Sequence, residues 1–176
     1  AQELGIDPEK IVASGGSAGG HLAACTGVIT KYDEPTEDQA VSSRPNALVL
    51  FNPAVSFTPP KDGPVRKEAA NLPERMGVPP TELSPADHVV KSLPPTQILI
   101  GTKDFLIEGN HEFESKMKAA GNRCELVLYE GREHGFFNFG RGDNRDFLAT
   151  TTAMDRFLVS LGYLQGPPTV DAFFAK

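Results

Sequence analysis

The chain contains no tryptophan, only two cysteines, and no apolar run long enough for a membrane helix of roughly 18 residues or more. Two cysteines exclude a disulfide scaffold and leave room for one bridge at most, Cys25 to Cys124. Four scattered histidines beside them give no zinc-ligand spacing, so no metal is expected, and no other cofactor. Positive charge is also in deficit. Seventeen Lys and Arg stand against 23 Asp and Glu, a net charge of −6 that argues against a nucleic-acid partner. An amino-terminal methionine and a charged-then-apolar signal segment are both missing. The opening Ala1-Gln2-Glu3-Leu4 reads as the inside of a helix, which suggests a fragment or a processed product.

What is present is a globular composition, 39% hydrophobic and 23% charged, on 176 residues. That length suits a single domain over residues 1–176. Seventeen glycines and 15 prolines punctuate it into elements. Continuous apolar runs predict strands near 10–14, 46–51, 96–101 and 124–129, because strands covered on both faces need not alternate. Helical spacing predicts helices over 18–29, 110–120 and 143–161. Residues 54–95 form a long Pro-rich crossover, with weak helices near 67–76 and 84–91, of the kind that covers a site. The tail from Gln165 reads as loosely attached. Strands alternating with helices predict an α/β fold, a parallel sheet flanked by helices with its strands side by side in chain order.

Gly15-Gly16-Ser17-Ala18-Gly19 matches Gly-x-Ser-x-Gly between a predicted strand and a predicted helix. A nucleophile elbow needs that context, since the chain turns too sharply there for flanking side chains. A Gly-rich turn with a serine N-cap explains the same residues, whereas a phosphate loop lacks the Gly-x-Gly-x-x-Gly spacing. Serine is a poor nucleophile without a base and a group that orients the base. In an open parallel sheet, both belong at the carboxyl ends of later strands. Asp104 follows the third strand and His134 the fourth. Asp87, Glu130 and Glu133 compete as the acid. His21, one turn into the elbow helix, is a weak pocket candidate, and His88 and His111 are read as helix-end and surface residues.

The order Ser17, Asp104, His134 is the order found in α/β-hydrolases. Ile6-Asp7-Pro8-Glu9-Lys10-Ile11-Val12 followed by Gly15-Gly16-Ser17-Ala18-Gly19-Gly20-His21-Leu22-Ala23 resembles the central segment of α/β-hydrolase esterases. Ser84-Pro85, Gly101-Thr102-Lys103-Asp104 and Glu133-His134-Gly135-Phe136-Phe137 resemble later segments of that family, nearest its hormone-sensitive-lipase-like and acetyl-xylan or feruloyl esterase members. The resemblance implies a serine esterase for small-molecule esters, with short acyl or sugar-linked acyl groups. Ser17 would attack the carbonyl, His134 shuttle the proton and Asp104 hold the imidazolium. The Ala18 N–H would donate to the oxyanion, with Gly16 and Gly19 forming the elbow. Residues 54–80, stiffened by Pro59, Pro60, Pro79 and Pro80, would cover Ser17. Phe136 or Phe137 would meet the acyl group.

Such esterases carry earlier strands and a His-Gly-Gly-Gly-type oxyanion loop, and only 16 residues precede Ser17. The expectation is therefore a carboxyl-terminal portion of the fold with residues 10–14 as an exposed edge strand. That edge would favour a homo-oligomer or a companion segment. A second reading follows from the same departure. The chain would be a hydrolase-derived partner subunit or proteolytic remnant with little catalysis.

Overall fold

The computed structural model describes residues 2–38, 40–57 and 72–174. Four strands, β1 (Val12–Gly16), β2 (Ala47–Phe51), β3 (Thr96–Gly101) and β4 (Cys124–Tyr129), pair in parallel in the order β1-β2-β3-β4. Chain order and spatial order coincide, even across the long connection from β2 to β3.

The apolar runs divide by alternation. Leu48, Leu50, Ile98 and Ile100 point to one face, where they meet Ala23, Ala24 and Val28 of α1 (Ala18–Val28) and Phe113 and Met117 of α3 (Ile107–Ala119). Val49, Leu99 and Val127 point to the other, against Phe157, Leu158 and Met154 of α4 (Arg145–Ser160). The result is three layers, helix on sheet on helix. Residues of β2 from Ala47 to Leu50 and all of β3 are buried, while β1 and β4 are partly open. Only a covered sheet has no need of a polar face, so the continuous hydrophobicity of the two central strands follows.

Several elements differ from the sequence expectation. The first strand is shifted two residues along, to Val12–Gly16 instead of 10–14, because Gly15 and Gly16 stay in register with Leu50 and Phe51, and pairing overrides the poor strand propensity of glycine. Helix α3 begins at Ile107, whose N–H bonds the Asp104 carbonyl. The tail is not loose throughout. Val170–Phe174 form a short helix, α5, and the Phe174 ring packs on Phe139 and Phe147.

In the crossover, residues 58–71, with Pro59 and Pro60, lie outside the described residues. Of the two weak helices, Leu72–Met76 is helical (α2) and Pro85–Asp87 is a 3₁₀ turn, preceded by another at Pro80–Leu83. Lys31 and Tyr32, after α1, both bond Glu82 and fasten this second turn to the body. Both cysteines are free thiols, so the one disulfide that composition allowed does not form. Among the described residues, no helix is long and apolar enough to cross a membrane.

Candidate active site

The carboxyl ends of all four strands meet through Ser17, Asn52, Asp104 and His134. Ser17 sits between β1 and α1 with φ 54° and ψ −116°, a sparsely populated conformation for a residue with a side chain. Close packing imposes the turn. A Cβ placed on Gly15 would lie 2.4 Å from the Gly19 carbonyl carbon, so strand and helix can approach this closely only with glycine there. Gly16 faces the Phe137 ring, 2.7 Å from where its Cβ would stand, and Gly19 has open space beside it. The Ser17 N–H bonds the Phe51 carbonyl at 2.9 Å, tying the elbow to β2.

The Ser17 hydroxyl does not cap α1. It lies 2.8 Å from Nε2 of His134, and Nδ1 of the same ring lies 2.9 Å from Oδ2 of Asp104. The Asp104 side chain is fully buried, and its Oδ1 accepts the Leu106 N–H at 2.9 Å. A buried carboxylate needs such partners, and both its oxygens have one. With the acid on Nδ1, the neutral ring carries its proton there and turns the Nε2 lone pair toward Ser17. This is the arrangement needed to take a proton from a hydroxyl.

The competing acids stand elsewhere. Asp87 pairs with Lys116, and Glu130 and Glu133 are exposed. His88 bonds the Thr81 carbonyl at 3.1 Å, and His111 is exposed. His21 faces the crossover instead of the Ser17 hydroxyl. Its Nε2 is 2.7 Å from the Leu83 carbonyl and 3.1 Å from Cys25 Sγ, with Phe57 edge-on to the ring. Burial pushes the His21 pKa down, against the opposing pull of that carbonyl bond, and pushes the Cys25 thiol up to about 11. Phe136 is buried against Tyr129, whereas Phe137 lies beside the elbow on Phe51 and Gly16.

Two neighbours of the triad escaped the sequence reading. Asn52, at the end of β2, places Nδ2 3.3 Å from His134 Nε2. Phe105, directly after Asp104, lays a half-exposed ring on the imidazole with centroids 4.6 Å apart. Position offered the signal, since both follow carboxyl ends of strands on the same edge as Asp104 and His134.

Residues 1–138 match the alpha/beta hydrolase fold family. The chain belongs to that family. It is similar to an acetylxylan esterase of Xylanibacter ruminicola, 28% identical over 145 residues that cover 77% of this chain and 28% of the relative. Among solved structures it is similar to Thermogutta terrifontis esterase 2. The form phosphonylated by sarin superposes with a TM-score of 0.86 at 49% identity, covering 93% of this chain and 61% of that one. The butyrate-bound form gives 0.83 at 49%, covering 94% and 62%. The chain thus spans about three fifths of the solved esterase and less than a third of the acetylxylan esterase.

Proposed function

We propose that this chain carries the catalytic groups of a serine carboxylesterase acting on short acyl esters, free or linked to sugars. One observation supports the reading above others: the Ser17 hydroxyl withholds itself from the helix and meets a histidine already oriented by a buried carboxylate. The similar acetylxylan esterase and the butyrate-bound esterase point to small acyl groups. The contacts of Ser17, His134 and Asp104 favour this reading over a hydrolase remnant with little catalysis.

In the proposed reaction, Ser17 Oγ attacks the ester carbonyl as His134 Nε2 takes its proton. Asp104 stabilises the imidazolium through Nδ1–H without accepting that proton. The negative oxygen of the tetrahedral intermediate is met by the Ala18 N–H, in the first turn of α1, where amides have no intrahelical acceptor. Gly16 and Gly19 flank that approach. His134 then protonates the departing alcohol, leaving Ser17 acylated, and water repeats the sequence in reverse roles. Phe137, beside the elbow, borders the acyl group, with Phe136 as its backing and His21 as the anchor of the crossover.

The test is covalent labelling with phenylmethylsulfonyl fluoride, followed by peptide mapping and p-nitrophenyl acetate hydrolysis. A single adduct on Ser17, and loss of both adduct and turnover in Ser17→Ala, is the expected result. Turnover surviving in Ser17→Ala, or an adduct elsewhere, would overturn the assignment.

A further inference from the structure

The sequence makes Asn52 look like a strand terminator before Pro53, yet its conformation and contacts point further. It is completely buried, with a positive φ of 34°, and its N–H continues the sheet by bonding the Leu99 carbonyl at 2.8 Å. Glycine adopts a positive φ without strain, so the backbone alone gives no reason for a side chain here. That side chain is clamped at one end. Oδ1 accepts the Gly135 N–H at 3.2 Å, which fixes the amide and leaves the NH₂ group toward His134 Nε2 at 3.3 Å.

We propose that Asn52 is a positioning residue that donates a locked amide N–H to Nε2 of His134 and holds the ring neutral between turnovers. The inference rests on the triad reading above. Nε2 has one lone pair, and in the neutral ring it accepts from Ser17 at the shorter distance and from Asn52 at the longer. Once Nε2 is protonated, it faces an amide N–H that cannot turn its oxygen, because Gly135 holds that oxygen. A donor aimed at the neutral form disfavours the charged one. Asn52 therefore stands against a proton on Nε2 and favours its return to the leaving alcohol.

The other groups against the ring are accounted for. The Asp104 carboxylate holds Nδ1, the Phe105 ring covers one face, and the Arg141 guanidinium bonds the His134 carbonyl at 3.0 Å. Asp104 is the charged partner at Nδ1, and Asn52 is the neutral donor set against Nε2.

The experiment compares the full chain with Asn52→Gly, which relaxes the backbone while deleting the amide, and with the isosteric Asn52→Asp. Two readouts are taken against pH: kcat/KM for p-nitrophenyl acetate, and the ¹⁵N shifts of the His134 ring. In Asn52→Gly, both the acidic limb and the ring's protonation midpoint move to higher pH by about half to one unit. KM changes little. Asn52→Asp moves both further in the same direction, since a carboxylate favours the imidazolium. Failure of the triad reading shows separately, as turnover indifferent to Ser17→Ala while the ring midpoint still moves with Asn52. Unmoved midpoints in a folded Asn52→Gly would overturn the proposal. Should neither variant fold, the side-chain amide resonance of Asn52 in the unsubstituted chain decides: it must shift through the His134 midpoint, and indifference overturns the proposal equally.

Discussion

Asp104 keeps a carboxylate where water does not reach, and two hydrogen bonds help make that tolerable. The Leu106 amide holds one oxygen and the His134 ring holds the other, so the acid has a single orientation. Its removal is therefore more than the loss of a charge. Asn at this position presents an NH₂ group or an amide oxygen to Nδ1, and either the tautomer or the ring orientation suffers. We expect Asp104→Asn to lower kcat on the order of 10³- to 10⁴-fold with a modest change in KM, read by initial rates on p-nitrophenyl acetate. Asp104→Asn within a few-fold of the unsubstituted rate would show that another group orients His134. The free thiols carry no such role. With its thiol raised to about 11, Cys25 holds little thiolate at neutral pH, and Cys124, raised to about 12, holds less.

The elbow separates two kinds of glycine at the scale of elements. Gly15 meets the backbone of α1, which cannot step aside, whereas Gly16 meets the far edge of the Phe137 ring, which can. Gly15→Ala should cost about 2–3 kcal/mol or more and lower Tm by roughly 5–10 °C, with activity lost as the strand and helix part. Gly16→Ala should fold nearly normally and instead alter the acyl preference as Phe137 turns. Equal Tm values for the two, by thermal melts, would contradict the distinction. Further along α1, His21 clamps the crossover through the Leu83 carbonyl and Phe57. Burial lowers its pKa from the ordinary 6.5, so just below that pH the unfolded chain binds a proton that the folded chain refuses. Stability then falls as pH drops through 6.5, and the loss ends below the folded-state pKa. In urea titrations at pH 7 and 5.5, His21→Gln should show a smaller drop in midpoint than the unsubstituted chain. An identical drop would place the acid sensitivity elsewhere.

For the molecule as a whole, what the sequence revealed depends on how many neighbours decide each feature. Ile98 to Ile100 or Leu48 to Leu50 can lie only inside a doubly covered sheet, so strand positions and parallel order were legible without coordinates. Ser17, Asp104 and His134 were legible because each ends or follows a strand, and parallel strands bring their carboxyl ends to one edge. Asn52 was not, since its role comes from the meeting of its amide with Gly135 and His134, more than 80 residues away. Nor was α5, whose anchor is a ring contact between Phe174 and Phe139. The expected edge is present: among the described residues no strand pairs with the outer side of β1. Val12–Gly16 contains neither Lys nor Pro to blunt it, and Leu4, Ile6 and Ile11, which precede it in the chain, are exposed. Unpaired N–H and C=O groups next to apolar side chains favour pairing with another strand. We expect this 176-residue chain on its own to associate through β1 with a second copy, so that light-scattering mass rises with concentration. Ser14→Lys, which sets a charge in the strand at an exposed position, should shift the mass toward the monomer. A constant monomer mass across a wide concentration range would refute the association.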